Sequence, residues 1–304
     1  MVILEPVDGT DIYLWKYLPS IPAAIIFILL FTGITSTHCW RMVKTRSWFC
    51  SAFAVGGLSR DPATGFDSFI HANRLLYSVQ MIGYPARVFA HYHTDQIAPY
   101  AVQSSFILLA PVFYAASIYM VLGRLVRSVH GERFSIVRPS WMSKLFISSD
   151  VLALNVQGIG GGFTTHADTQ ELGKYIVIVG LFIQLVGFGF FVAAALLFHM
   201  RMRREVAKES ELRPNVPWRQ GLKMLYACSG LIIVRSCYRI IEYIMGLDGY
   251  LLSHEWPMYI FDAVPMWTIQ VIFLVWFPDK LQPSRGDSGA DGQALVEMSR
   301  GPSP

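Results

Sequence analysis

Apolar blocks of about twenty residues, the length that crosses the hydrocarbon core of a bilayer as a helix, recur along this chain. The clearest blocks occupy residues 19–38, 97–122, 142–160, 172–198, 221–245 and 258–277. The chain as a whole is 53% hydrophobic and only 15% charged, whereas a soluble domain carries about a quarter charged residues. The sequence therefore predicts an all-α integral membrane bundle.

The charges of the loops between these blocks alternate along the chain. Three loops are basic, and the others carry mostly histidine and acidic residues. Cytoplasmic loops of membrane proteins are the ones rich in lysine and arginine. The alternation predicts seven transmembrane helices, with the amino terminus outside and the carboxyl terminus in the cytoplasm. The basic loops contain Arg41, Lys44 and Arg46; Arg124, Arg127, Arg133 and Arg138; and Arg201, Arg203, Arg204, Lys208, Arg213 and Arg219.

The second of the seven spans is irregular. Residues 47–58 and 81–90 are apolar, but each stretch is about half the length that a span needs. The polar residues 59–80 separate them, and joining the two flanks directly would give one span of normal length. We interpret 59–80 as an insertion into this helix, such as an unspliced intron would produce. Alternatively, 70–90 is the true helix and 47–58 lies along the membrane interface.

These boundaries divide the chain into three parts. Residues 1–18 form an extracellular segment that carries acidic residues, and residues 19–277 form the seven-helix domain. Residues 278–304 are polar and contain proline, which predicts a disordered cytoplasmic tail. The net charge is only +4, and no nucleic-acid partner is predicted.

The apolar block 221–245 contains charges where a membrane span should carry none. Arg235, Arg239 and Glu242 are spaced i, i+4 and i+7, so they share one face of a helix. A charged side chain at the centre of a bilayer costs about 3 kcal/mol on insertion scales. We therefore expect this face to lie inside the bundle and to have a function there.

Other predicted spans also carry deep polar residues, and their formal charges balance. Arg87, Arg235 and Arg239 stand against three carboxylates, which is what a buried ion-pair network requires. Helical spacing places Asp150 and Gln157 on one face, and Asp262, Met266 and Gln270 on another. Such a network could hold a polar head group, relay a proton, or lock the helices together. The predicted substrate-binding residues are Arg87, Asp150, Gln157, Gln184, Arg235, Arg239, Glu242 and Asp262.

The sequence does not indicate an enzyme. Its eight histidines are scattered over helix ends and loops, without the spacing of a metal-binding motif. It contains neither a Walker motif nor Gly-x-Ser-x-Gly, so neither ATP hydrolysis nor serine-hydrolase chemistry is predicted. No catalytic residue, metal or other cofactor is expected. A lipid-modifying membrane enzyme would lack a recognisable set of catalytic residues.

Several motifs over about 15–280 together resemble the fungal lipid-translocating exporter family that is named for resistance to aminocholesterol. The resemblance departs from the family pattern at Gln80, where the family usually has an acid three residues before its Gly-Tyr pair. The motifs are Tyr17-x-Pro19-Ser20, Gly83-Tyr84-x-x-Arg87, Ala110-Pro111-x-x-x-Ala115-Ala116-x-x-Tyr119, Asp150 with Gln157-Gly158-x-Gly160-Gly161, Gly180-Leu181-x-x-Gln184, Arg235-x-x-Tyr238-Arg239-x-x-Glu242, and the segment from Glu255 to Asp262.

The resemblance implies seven spans and a fungal plasma membrane or, alternatively, an endomembrane. It implies export or flipping of amphiphiles such as sphingoid long-chain bases and sterol-like amines, and a link to lipid stress and drug resistance. Membrane lipids or amphiphilic small molecules would then be the partners, while the sequence leaves the oligomeric state open. The alternative is a seven-span receptor or sensor of membrane lipids, because the predicted topology is also that of G-protein-coupled receptors.

Overall fold

The computed structural model describes residues 20–45, 88, 97–129, 131–135, 137, 139–164, 167–208, 218–246 and 249–276. All regular secondary structure within these ranges is helical. Four features predicted from the sequence lie outside them: the amino-terminal segment 1–18, the second span with its insertion at 59–80, Arg87, and the tail 278–304.

Every clear apolar block outside the second span forms a helix. Two of the short connections between the described helices contain single 3-10 turns, at Glu132–Phe134 and Ala167–Thr169. The helices are α1 (Ile21–Thr45), α2 (Ile97–Ser128), α3 (Pro139–Phe163), α4 (Gln170–Lys208), α5 (Trp218–Met245), the short α6 (Tyr250–Ser253), and α7 (Trp256–Val275).

Five helices in the described part of the chain are long and apolar enough to cross a membrane: α1, α2, α4, α5 and α7. α3 has 25 residues but is not among the five, and it carries Asp150, Asn155 and Gln157 in its middle. α4 has 39 residues and measures about 58 Å, so it extends well beyond a hydrocarbon core about 30 Å thick. The protein is therefore a multi-pass helical membrane protein.

α2 lies at the centre of the bundle, and α4 lies at its surface. Most of α2 from Leu109 to Ser128 is buried, and its side chains join the main hydrophobic core with those of α3, α4, α5 and α7. α4 instead exposes a stripe of large apolar residues at helical spacing, namely Val179, Phe182, Val186 and Phe190. A stripe of this kind on a membrane protein faces lipid.

Glycines allow α3 and α4 to pack with their backbones in contact. A Cβ atom on Gly160 would lie 2.7 Å from the backbone nitrogen of Val177, and one on Gly173 would lie 2.7 Å from the carbonyl oxygen of Gly160. A Cβ on Gly180 would lie 2.7 Å from Cγ of Gln157. Small residues at helix interfaces are typical of membrane bundles, where close van der Waals packing holds helices together.

α5 and α7 pack antiparallel on the other side of the core. α5 ends at Gly246, whose φ of 73° is the left-handed conformation that commonly terminates a helix. Two contacts define the register of the pair: Arg235 meets Asp262, and Gly221 lies against the ring of Trp276.

Candidate functional site

An ion pair between Arg235 of α5 and Asp262 of α7 lies in the interior of the bundle. Nε of Arg235 donates to Oδ1 of Asp262, and the two residues are only 4% exposed. Taking both charges out of water costs several kcal/mol per ion, and their attraction offsets this cost only with good geometry. The pair therefore fixes the position of α5 relative to α7. Neutralising either residue alone would leave the charge of the other buried without a partner.

A second ion pair lies one turn further along α5. An Nη of Arg239 donates to Oε2 of Glu242 at 2.7 Å, and the hydroxyl of Tyr238 donates to Oε1 of the same carboxylate at 3.2 Å. Glu242 also interacts electrostatically with Arg235 and Asp262. We call Arg235, Arg239, Glu242 and Asp262 the charged cluster. It is neutral overall, with two guanidinium groups and two carboxylates.

The hydrogen-bonding capacity of the charged cluster is not used up. Oδ2 of Asp262 and Nε of Arg239 are buried and have no hydrogen-bond partner among the described residues. Buried polar atoms are nearly always paired, and leaving one unpaired costs about 1–3 kcal/mol. The cluster thus presents one free carboxylate acceptor and one free guanidinium donor.

Asp262 lies in a π-helical turn that interrupts α7. The turn spans Tyr259–Ala263, and the N–H of Val264 donates to the carbonyl of Tyr259, five residues earlier. Pro265 follows the turn and lacks an N–H, so it cannot complete the α-helical hydrogen bond to residue 261. A π turn rotates the residues on its two sides relative to each other, and such turns are frequent at functional sites.

Asp150 of α3 does not belong to the charged cluster, and its hydrogen-bond partner is an uncharged group. The hydroxyl of Tyr119 on α2 donates to its Oδ2 at 2.8 Å, and Asp150 is 1% exposed. The ring of Tyr119 packs against Phe146, Phe188 and Phe191, which surround this hydrogen bond with aromatic surface. Charge counting predicted an ionic partner for Asp150, but among the described residues its polar contact is this uncharged hydroxyl.

The two predicted glutamines meet at the interface of α3 and α4. Nε2 of Gln157 donates to Oε1 of Gln184 at 3.0 Å, beside Gly180. A residue larger than glycine at 180 would displace the Gln157 side chain. This contact is a neutral cross-link between two closely packed helices.

The structure thus divides the predicted site residues into two groups, while Arg87 lies outside the described residues. Four of them form the charged cluster, and Asp150, Gln157 and Gln184 lie around α3.

The sequence had not indicated a role for Tyr119, Tyr238 or Glu255. All three belong to the family-like motifs, which was the one signal that could have drawn attention to them. In the described ranges, no three His, Cys, Asp or Glu side chains form a group that could hold a metal ion.

Residues from different motifs contact each other in pairs. Tyr119 meets Asp150, Gln157 meets Gln184, and Arg235 meets Asp262. A fourth pair joins the starts of α1 and α7, since both carboxylate oxygens of Glu255 accept from the backbone N–H of Ser20 at 3.0 Å. A carboxylate at a helix amino terminus complements the helix dipole. The motifs therefore specify contacts between helices.

Comparison with known proteins identifies the family. The family model described as "RTA1 like protein" matches residues 76–285, which is more than half of the chain. This chain belongs to the RTA1-like family. The resemblance inferred from the motifs is confirmed.

Three relatives of this RTA1-like protein come from Saccharomyces cerevisiae. Protein RTA1 is 31% identical, with 89% of this chain and 86% of that protein covered. Protoporphyrin uptake protein 1 is 28% identical, with 86% and 91% covered. The sphingoid long-chain base transporter RSB1 is 25% identical, with 90% and 76% covered. No solved structure matches the chain.

Proposed function

We propose that this RTA1-like protein moves amphiphiles across the fungal plasma membrane and so contributes to lipid-stress or drug resistance. Two of its relatives are named for the transport of amphiphilic molecules, a sphingoid long-chain base in one case and protoporphyrin in the other. The expected cargo is a sphingoid long-chain base or a sterol-like amine. These names describe transporters, which favours a protein that is not an enzyme.

The head group of the cargo would bind at the charged cluster. The observation that carries this proposal is the pair of buried, unpartnered atoms within the described part of the cluster, Oδ2 of Asp262 and Nε of Arg239. A protonated amine would donate to Oδ2 of Asp262, and a neighbouring hydroxyl would accept from Nε of Arg239. An amino-alcohol head group carries both functions. A substrate role for Arg87, Asp150, Gln157 and Gln184 stays a prediction.

We also infer seven spans, with the amino terminus outside and the carboxyl terminus in the cytoplasm. Five helices have the length and apolarity of spans, α3 would be the sixth, and residues 47–90 would supply the remaining one. The basic loops would then all be cytoplasmic, as is usual for membrane proteins. Labelling single cysteines introduced at the exposed positions 203 and 254 with a membrane-impermeant reagent tests this topology, since only position 254 should react in intact cells.

Transport by the purified protein tests the function. Radiolabelled sphinganine is followed across proteoliposomes that contain the wild type, Arg239→Lys or Arg239→Gln. Lysine keeps a positive charge beside Glu242 but has no Nε–H group, so we expect sphinganine movement to fall about tenfold, and glutamine should abolish it. Arg219→Lys, at the exposed cytoplasmic start of the same helix, is the matched control and should move sphinganine at the wild-type rate.

Movement of sphinganine by Arg239→Gln at the wild-type rate would contradict transport through the cluster, and two outcomes would contradict transport itself. Sphinganine movement that is the same with and without the wild-type protein would remove the transporter function. If the protein binds sphinganine but does not move it, the receptor alternative becomes the better reading. A thermal melting temperature unchanged between wild type and Arg239→Lys ensures that a lower rate reflects lost binding at the cluster.

A further inference from the structure

A second group of polar side chains lies nearer the carboxyl end of α7 than Asp262, where α7 packs against α1 and α2. Nε2 of His38 on α1 donates to the backbone carbonyl of Gln270 at 2.9 Å, because a carbonyl oxygen can only accept. The side-chain amide of Gln270 hydrogen-bonds to the hydroxyl of Tyr114 on α2. His38 and Gln270 are both buried. Three helices therefore meet at a polar centre.

This centre has buried hydrogen-bonding groups that nothing in the described structure satisfies. Oε1 of Gln270 and Nε1 of Trp267 both lack a partner among the described residues, and Gln270 is only 6% exposed. Exchanging the oxygen and nitrogen of the Gln270 amide would not help, since one end of the amide contacts Tyr114 and the other stays unpaired. Trp267 and Gln270 are three residues apart, so their side chains are neighbours on α7.

A third unpartnered group lies at the same depth on α5. Oγ of Ser229 is buried and has no partner within the part of the chain that the structure describes. Arg235 and Gly221 lie on the face of α5 that meets Asp262 and Trp276 of α7. Ser229 is level with position 268 of α7, but helical spacing turns it about 100° away from that face, so it lies outside the polar centre. Ser229 is therefore a buried serine at the level of Trp267 and Gln270 that does not belong to their polar centre.

We propose that Trp267 and Gln270 form a second head-group site, which binds a hydroxyl group of an amphiphile. A hydroxyl can accept from the indole N–H and donate to the amide oxygen, which matches the two unpaired groups on α7. The site lies eight residues along α7 from Asp262, about 12 Å towards the cytoplasmic end. The inference rests on the proposed function in that its occupant is an amphiphile.

The two sites differ in the part of the head group that they recognise. The charged cluster offers a carboxylate to an amine, whereas the second site offers neutral groups to hydroxyls. In a sphingoid base the amine and the hydroxyls lie on three adjacent carbon atoms, so one head group occupies one site at a time. The second site would therefore hold the head group at a separate step of its passage along α7.

Two probes with identical chain lengths separate the sites. Octadecane-1,2-diol has hydroxyls and no charge, and octadecylamine has a charge and no hydroxyl. Their dissociation constants are measured with the purified full-length protein in nanodiscs. We expect Trp267→Phe and Gln270→Met to weaken binding of the diol by about tenfold and to leave binding of octadecylamine within about twofold. Asp262→Asn should have the reverse effect.

A pair of buried serines on α5 supplies the matched control. Ser229→Ala and Ser236→Ala should both leave diol binding within about twofold of the wild type, because Ser229 lies on another face of α5 and Oγ of Ser236 already donates to the carbonyl of Ile232 at 2.9 Å. The proposal is overturned if the wild type does not bind the diol, if Trp267→Phe binds it normally, or if Trp267→Phe weakens both probes equally. If Asp262→Asn binds octadecylamine as tightly as the wild type does, while the diol results are as expected, the charged cluster does not bind the head group and the second site still does.

Discussion

The α3–α4 pair and the α5–α7 pair bury polar side chains in two different ways. α3 and α4 touch through glycines, and their polar contacts are the neutral pairs Gln157–Gln184 and, towards α2, Asp150–Tyr119. α5 and α7 instead share the charged cluster, and a π turn interrupts α7 beside it. Within the described residues, the buried unpaired atoms of charged groups all belong to the second pair.

This difference separates a scaffold from a site. Backbones in contact cannot shift without a clash, since packed interiors have few alternative arrangements. Ion pairs with unused donors and acceptors can exchange partners, and a π turn can move along a helix or straighten into α-helix. We therefore expect α3 and α4 to behave as a rigid pair, while α7 rearranges against α5 when a head group binds.

Breaking the ion pair between α5 and α7 should have the largest effect on stability. Asp262→Leu leaves Arg235 buried without its carboxylate, and removing one partner of a buried pair typically costs about 3–5 kcal/mol. Replacing both partners, as in Arg235→Met with Asp262→Leu, should restore most of this loss, because apolar residues of similar volume substitute well for buried ion pairs. The double variant should nevertheless bind no octadecylamine.

Thermal unfolding of the single and double variants in detergent measures this rescue. A double variant as unstable as Asp262→Leu would mean that Arg235 has a further essential partner. A double variant that binds octadecylamine normally would place the amine site elsewhere in the bundle.

Adding a methyl group to the α3–α4 interface should have the second largest effect. The new Cβ of Gly173→Ala would lie 2.7 Å from the carbonyl oxygen of Gly160 and from the backbone nitrogen of Thr164. Overpacking of this kind costs about 1–3 kcal/mol. Gly161→Ala is the matched control, since no atom lies within 4 Å of its Cβ position, and alanine there should lose no stability. Equal melting temperatures for the two variants would show that the helices can move apart, contrary to a rigid scaffold.

The sequence was sufficient to predict the six long helices that the structure describes outside the second span, and the buried faces of α3 and α7. Helical spacing placed Asp150 with Gln157, and Asp262 with Gln270, and each of the four is buried. These predictions succeeded because few backbone structures can span a membrane. A long apolar stretch therefore predicts a helix, and a polar residue within that helix predicts which face points inwards.

The sequence was not sufficient to predict which side chains meet across helices. Counting charges balanced three arginines against three carboxylates, yet Tyr119 is the partner of Asp150 in the described structure. Partner choice depends on how each helix is rotated and how deeply it lies, which its own pattern does not fix. The π turn was also missed, although Pro265 signalled that the hydrogen bonding of α7 is interrupted.

Neutralising Asp150 should have the smallest effect on stability, and it separates the two regions most directly. In Asp150→Asn the amide oxygen can still accept from the hydroxyl of Tyr119, and no cation among the described residues loses a partner. We therefore expect a change of less than about 1 kcal/mol, whereas Tyr119→Phe leaves the carboxyl group unpaired and should cost about 1–3 kcal/mol. Thermal unfolding in detergent measures both.

A loss of stability in Asp150→Asn as large as that in Asp262→Leu would mean that Asp150 is ion-paired. Arg87 is then the partner that the charge balance of the sequence supplies, and Arg87→Met should rescue Asp150→Asn.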